Sequence, residues 1–396
     1  MTPPDALERL TLARTEGVGP ITYRRLLRRF GSATAALAAL PELARAGGRT
    51  RPPRGPARGA LAREIEALAR QGGRFLFLDT PDYPPLLALL EDAPPALAVL
   101  GAAGLDGPPL FERPAVALVG ARNASLNGRQ IAAELAEALA RAGLVVVSGL
   151  ARGIDAAAHD GALRAGNTIA AVAGGLDHPY PPEHAGLQAR IAAGGAVVAE
   201  APLGTAPQAR HFPRRNRIIA GLAQGVVVIE AAPRSGSLIT ARLAAETGRE
   251  LFAVPGSPRD PRCRGSNDLI RQGAHLTETL ADILDNLPDH PLREGLARDP
   301  LFAARAPEIR APQRVWEEPP GGAPEGVPEG AAALAAGRQA VRALLGPAPI
   351  AVDDLVRHCQ LSASAVLALL LELELAGQVE TLPGNRVALI AGPGAP

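Results

Sequence analysis

The sequence predicts a doubly wound, mostly parallel α/β domain at the centre of the chain. A helical domain precedes it and a smaller domain of helices and a hairpin follows. Three observations carry this prediction. Six short apolar runs rich in β-branched residues recur between Val116 and Val254. Helical patterns separate them, which is the signature of strands buried on both faces of a parallel sheet. Two stretches rich in Gly, Pro and Arg or Glu interrupt the chain on either side and cannot sustain a helix or a central strand. A length of 396 residues suits several domains of about 100–200 residues each.

Residues 1–71 read as helices over Pro3–Glu16, Ile21–Phe30 and Ser32–Leu40, with Gly17-Val18-Gly19-Pro20 between the first two. Helix, GVGP turn, helix resembles a helix-hairpin-helix element, whose turn N–H groups approach a DNA phosphate. An ordinary tight turn between packed helices fits the same four residues. Gly47–Gly59 reads as a linker. Residues 72–290 form the α/β domain. Its strands are Val116–Val119, Leu144–Val147, Ile169–Val172, Ala196–Ala199, Val226–Ile229 and Leu251–Val254. Its helices are Gly128–Ala142, Asp155–Ala165, Pro182–Ala193, Asn216–Ala223 and Gly236–Thr247. Residues 291–336 form a second, Pro/Gly-rich linker. Residues 337–396 show helices near Arg338–Leu345, Val352–Cys359 and Ser362–Ala376, then strands around Gln378–Thr381 and Val387–Ile390. Three helices and a hairpin resemble a winged helix.

Composition removes several function classes. Apolar residues make up 47% and charged residues 20%, which excludes wholesale disorder. All 41 basic residues are Arg, so Schiff-base and Walker-type lysine chemistry is absent. Cys263 and Cys359 are the only cysteines; they support neither a disulfide framework nor a cysteine zinc site, and they make a reducing, intracellular setting the default expectation. No apolar run reaches the ~18 residues of a membrane span, and the acidic N-terminal residues Asp5 and Glu8 do not suit a signal peptide. The net charge of +1 hides a basic first piece, 13 Arg against 6 Asp/Glu over residues 1–71. That asymmetry points to an anionic partner or to uneven scatter of an Arg-only composition.

Ligands of doubly wound domains sit beyond the carboxyl ends of the strands, so the motifs are read there. The first strand runs into Gly120-Ala121-Arg122-Asn123-Ala124-Ser125. Gly120 allows close backbone approach and Arg122 can grip an anion bidentately. The second runs into Ser148-Gly149-Leu150-Ala151-Arg152-Gly153 and then a helix, an anion site of free N–H groups. Asp155 suits the N-cap of that helix. Asp155 and His159 could also be imagined as a metal or base pair, but a capping aspartate and a satisfied core histidine are the commoner outcome. Between Glu200 and Glu230 there is no acidic residue, while Arg210, Arg214, Arg215 and Arg217 fall within eight positions beside Phe212 and Asn216. Arg for phosphates and an aromatic for stacking is the combination of single-strand binders. The Arg spacing reads as a loop rather than a solvated helix face. Gly236, Ser237 and Thr240 open another helix, and Gly256 and Asn267 mark the next two turns. Several such turns on one rim, with an Arg cluster, describe a polyanion pocket. No GxGxxG, GxSxG, HExxH or Walker string is present, and no cofactor is implied.

The strings GARNAS, SGLARGIDAAAH, GLDHPYPPEH, FPRRNRIIAGL, GSLITARLAAETGRELFAVPG and GSNDLIRQGA stand in order over roughly residues 75–290. Together they resemble the DNA-processing protein A family (DprA/Smf). The resemblance implies a Rossmann-like core, a SAM-like N-terminal domain and a winged-helix appendage. It implies a cytoplasmic, non-enzymatic protein that binds single-stranded DNA, protects it during natural transformation, loads the recombinase RecA onto it, and dimerises through the α/β domain. By position, Arg122, Ser148, Gly149, Gly153, Phe212, Arg215, Asn216, Arg217, Gly236 and Ser237 would line the DNA pocket, with Gly120, Ser125, Arg152, Arg214, Thr240, Gly256 and Asn267 on the same rim. Basic pocket positions that are often Lys in the family must be Arg here, which preserves bidentate phosphate contacts. His184 stands where the family commonly has Asn. The third helix of the winged domain carries Glu372 and Glu374 and no Arg, so it suits a protein contact better than a DNA groove. The alternative reading is a nucleoside-monophosphate hydrolase; its PGGxGTxxE-type string is replaced by Ala232-Pro233-Arg234-Ser235-Gly236-Ser237-Leu238-Ile239-Thr240.

Overall fold

A computed structural model of the chain describes residues 5–101, 109–287, 331–346, 348–359 and 361–390. The described residues gather into two compact units. One contains residues 5–10 and 57–287; the other contains residues 11–56 and 331–390.

The first unit is built on a nine-stranded sheet in the order β1-β2-β6-β5-β4-β3-β7-β8-β9. Its seven parallel strands are β3 (Ala115–Val119), β4 (Val145–Ser148), β5 (Thr168–Val172), β6 (Ala196–Ala199), β7 (Gly225–Val228), β8 (Glu250–Ala253) and β9 (His275–Leu276). They coincide with the expected runs to within a residue, and β9 is added. Two strands were not expected: β1 (Arg74–Phe77) and β2 (Ala96–Gly101) extend the sheet in antiparallel register past β6. The helices are α4 (Arg58–Arg70), α5 (Pro85–Ala88), α6 (Leu126–Arg141), α7 (Ile154–Ala162), α8 (Ala185–Gly194), α9 (His211–Gly221), α10 (Gly236–Glu246), α11 (Arg264–Arg271) and α12 (Leu280–Leu284).

Alternation along β3 explains the layering. Ala115, Ala117 and Val119 face one core with Ile218 and Ile219 of α9 and Ala241 of α10. Val116 and Leu118 face the other with Leu135 and Leu139 of α6 and Ile154 and Ala158 of α7. Each buried Val, Leu or Ile among them contributes about 1.5–3 kcal/mol. The chain winds outward from β3 through β4, β5 and β6, then returns to the other side of β3 with β7. That reversal leaves a crevice outside the carboxyl ends of β3 and β7.

The second unit contains α2 (Pro20–Phe30) and α3 (Ala33–Ala46), and a winged helix of α13 (Ala331–Leu344), α14 (Val352–Cys359), α15 (Ala363–Leu375) and strands β10 (Ile350–Ala351), β11 (Val379–Leu382) and β12 (Arg386–Leu389). The remaining helix, α1 (Ala6–Ala13), runs from residues of the first unit into residues of the second. The linker expected over 291–336 lies outside the described residues as far as 330, and α13 already begins at Ala331.

Helix α15 is apolar nearly all round, as a helix buried on two sides must be. Val366, Leu369, Leu370 and Leu373 fill the winged-helix core. Its opposite side packs on α2 and α3. There Arg49 Nη1 donates to the Leu375 carbonyl at 3.1 Å, and Gln378 Nε2 donates to the Gly47 carbonyl at 3.0 Å. Glu374 is buried beside Thr22 and Arg25; burial pushes its carboxyl up, while hydrogen bonding from Thr22 and the charge of Arg25 oppose that. No single helix among the described residues is long and apolar enough to cross a membrane.

Candidate functional site

The crevice at the strand-order reversal holds a cavity of about 780 Å3. It is bounded by the turn after β3 and by the first turns of α9 and α10. A second depression of about 350 Å3 adjoins it, beyond the ends of β4 and β5. Arg122, Asn123, Ala151, Tyr180, Phe212 and Arg215 line both and form the wall between them.

The Arg-rich stretch expected as a loop is helix α9, beginning five residues before the expected start at Asn216. Pro213 sits in the first turn, where its missing N–H costs nothing. Ile218, Ile219 and Ala220 supply the buried face that holds the helix down. Helical rotation then separates the arginines. Arg214 is exposed and lines neither cavity. Arg217 turns away from the site; its Nη2 donates to both oxygens of Glu200 at 2.6 and 2.7 Å, and its Nε lies 3.5 Å from Asp92. Asn216 lines the larger cavity and donates to the Gly236 carbonyl at 3.3 Å.

Arg215 is the buried part of the wall, its side chain only 6% exposed. Its Nη1 donates to the Ala171 carbonyl at 3.3 Å and stands 3.8 Å from Asp155 Oδ2. The guanidinium fills the space over Gly149, where an added Cβ would lie 1.3 Å from Nη1. A side chain at 149 would have to displace that guanidinium. Burial opposes charge on both Arg215 and Asp155, and each partner favours the other's charged form. Arg215 Nε is buried without a hydrogen-bond partner. The exposed Arg122 sets its guanidinium 4.7 Å over the Phe212 ring. The Arg215 guanidinium is 5.8 Å from the same ring centroid, and Tyr180 meets it edge-on at 5.8 Å and 65°.

Asp155 does not cap α7. Gly153, at φ +78°, precedes the helix, and Asp155 in its first turn accepts from the Ala151 N–H at 3.3 Å. His159 is fully buried, with Nδ1 2.8 Å from Thr168 Oγ1. That hydroxyl spends its proton on the Val146 carbonyl at 2.7 Å, so it accepts from His159 and places the ring proton on Nδ1. Burial holds His159 down to about 3, neutral at physiological pH. No cluster of three or more His, Cys, Asp or Glu side chains that could hold a metal occurs among the described residues.

The other expected site residues divide. Gly120, Gly236, Ser237 and Thr240 line the larger cavity with Arg122, Phe212, Arg215 and Asn216, while Gly149 and Arg152 line the smaller. Arg152 pairs with Glu183 at 2.5 Å. Ser148 is fully buried and donates to the Leu118 carbonyl at 2.6 Å. Ser125 caps α6 through the Gly128 N–H at 2.9 Å and donates to Glu230 at 2.5 Å. Gly153 packs against the carbonyls of Ala121 and Arg122. Gly256 and Asn267 clamp each other through two hydrogen bonds of 3.1 and 2.9 Å, outside both cavities. Lining residues outside the expected set include Tyr180, Arg234 and Arg262. For Tyr180 the available signal is an aromatic in a Pro-rich turn after a strand.

Residues 74–288 match the family model for DNA recombination-mediator protein A. The chain belongs to that family. Residues 3–67 match its DprA-like N-terminal HHH domain, and residues 325–385 its winged helix domain. Protein Smf of Escherichia coli K12 is 40% identical over 320 residues, covering 78% of this chain and 76% of that protein. DNA processing protein DprA of Bacillus subtilis 168 is 42% identical over 230 residues, 58% of this chain and 76% of that protein. The crystal structure of DNA processing protein A from Streptococcus pneumoniae matches with a TM-score of 0.62 at 35% identity, over 73% of this chain and all of that one.

Proposed function

We propose that this member of the family is a cytoplasmic, non-enzymatic mediator that binds single-stranded DNA, protects it during natural transformation and loads RecA onto it. The supporting observation is the wall of Arg122, Phe212, Arg215 and Tyr180 between two cavities, beside the first turn of α10. Phosphates meet Arg122 and the positive N-terminal end of α10, and bases meet the aromatic side chains. Hydrolysis of a nucleoside monophosphate breaks a glycosidic bond, chemistry that canonically uses a carboxylate at that bond. The one acidic residue lining either cavity is Asp155, buried beside Arg215, and Glu230 is engaged by Ser125.

A second copy joined through the α/β unit completes the proposal, read by sedimentation. The winged helix acts in it through protein contacts, since α15 is already packed on α2 and α3 within its own unit.

Anisotropy of a labelled poly-dT strand and of a duplex of equal length, across a salt series, tests the binding. Preference for the single strand with affinity falling steeply in salt supports the reading. Duplex preference, or no binding, overturns it, and release of free base from AMP would replace it with hydrolysis. RecA loading is then read as strand exchange on DNA precoated with single-strand binding protein.

A further inference from the structure

We propose that Glu230 is a positioning residue for DNA binding: it ties the turn after β3 to the turn after β7 and so holds Arg122 at the wall. The inference rests on the single-strand reading above and concerns a residue that lines neither cavity. Glu230 follows β7, where the Ile229 N–H donates to the Val119 carbonyl at 3.1 Å and continues the pairing with β3. Beyond that point the two segments part. One enters α6, which packs on one face of the sheet; the other leads to α10 on the opposite face. The crevice opens between them, and Glu230 is buried where they diverge. Its Oε2 accepts from the Ser125 N–H at 2.9 Å and its Oε1 from the Ser125 hydroxyl at 2.5 Å.

The turn held in this way is short. Gly120 opens it against the Glu230 carbonyl, which an added Cβ would approach to 3.1 Å. The Ala121 carbonyl accepts from the Ile154 N–H at 3.3 Å, and Ser125 closes the turn as the cap of α6. Arg122 and Asn123 form its tip. A shift of Ser125 is therefore felt three residues away, at a guanidinium 4.7 Å from the Phe212 ring centroid. The sequence leaves space for the tie at Gly128, in the first turn of α6, where an added Cβ would lie 2.6 Å from the Glu230 carboxyl carbon. The positive end of α6 favours a carboxylate there. The same carboxylate repels any phosphate bound nearby. Charge alone therefore predicts that removing Glu230 tightens DNA binding, and positioning predicts the reverse.

Anisotropy with labelled poly-dT across a salt series separates the two. Glu230→Ala should weaken binding to within about twofold of Arg122→Ala and make the salt slope shallower by about one unit. Adding Arg122→Ala to Glu230→Ala should cost no more than about a further twofold, because both changes remove the same contact. Glu230→Gln removes the charge but keeps an acceptor for the Ser125 N–H. It should bind between the wild type and the alanine variant, since a neutral acceptor holds the turn less firmly. Being nearly isosteric, it also decides the sign if Glu230→Ala does not fold. A folded Glu230→Ala or a Glu230→Gln that binds as tightly as the wild type or tighter would overturn the assignment. So would a double variant whose losses add in full. Either result leaves the single-strand reading standing, whereas a wild type that does not bind single strands removes both.

Discussion

Three arginines in one short stretch meet three different fates, and their surroundings decide which. Arg214 faces solvent, Arg215 is the buried part of the aromatic wall, and Arg217 closes on Glu200. Arg122, which follows another strand, is the arginine of the wall that reaches solvent. Arg122→Ala is therefore expected to weaken single-strand binding and make the salt slope shallower by about one unit, read by anisotropy. Arg217→Ala should leave the folded protein's DNA affinity unchanged while costing about 1.5–3 kcal/mol of stability, because it strands the Glu200 carboxylate. Urea midpoints of the two variants separate these roles. Arg215→Ala is the poorer probe: it would leave Asp155 buried without its cation, and lost binding could not be told from lost structure.

At the scale of elements, helices α9 and α15 are each shaped by the two surfaces they serve. In α9, isoleucines anchor the C-terminal half while the first turns carry Phe212 and Arg215 to the cavity. Its partner is the turn after β4, where Gly149 leaves room for the guanidinium. Gly149→Ala should push Arg215 out of its seat and lower both stability and DNA affinity, an effect that the surface variant Arg214→Ala should not share. In α15, one side completes the winged-helix core and the other meets α3 at Gly47, where an added Cβ would lie 2.0 Å from the Glu372 carbonyl oxygen. That atom belongs to helix backbone and cannot step aside. Gly47→Ala should therefore loosen α15 from α3, raising hydrogen exchange in α2 and α3 while the α/β sheet stays protected.

The whole molecule answers to pH through the core of its α/β unit. His159 titrates near 6.5 when unfolded and near 3 when folded. Below pH 6.5 the unfolded chain takes up a proton that the folded protein refuses. The stability tied to neutral His159 is complete above pH 6.5 and is lost as pH falls toward 3, at about 1.4 kcal/mol per pH unit. Asp155, raised by burial, runs the other way, because the folded protein keeps its proton to higher pH. The difference between wild type and His159→Asn isolates the histidine. Urea midpoints should fall more steeply with acid in the wild type than in the variant, and parallel slopes would exclude His159 as the group responsible.

Fold class, strand positions and the rim that carries the two cavities were legible in the chain itself. Short apolar β-branched runs spaced by helical patterns read as strands buried on both faces, and glycines with small polar residues after them mark turns where backbone can approach a ligand. The antiparallel strands β1 and β2 were not legible, since RFLF and ALAVLG carry no neighbour relation until the sheet assembles. Nor was the division of labour among the rim residues. Ser148, Ser125, Gly256 and Asn267 share the composition of anion turns, yet their hydrogen bonds close on the protein itself. Tyr180 stands 32 residues before Phe212 in sequence and meets its ring only because the turns after β5 and β6 converge. Residue type determines what chemistry a position can offer. Which donors remain free is decided by the partners that distant segments bring, and those exist only in the folded chain.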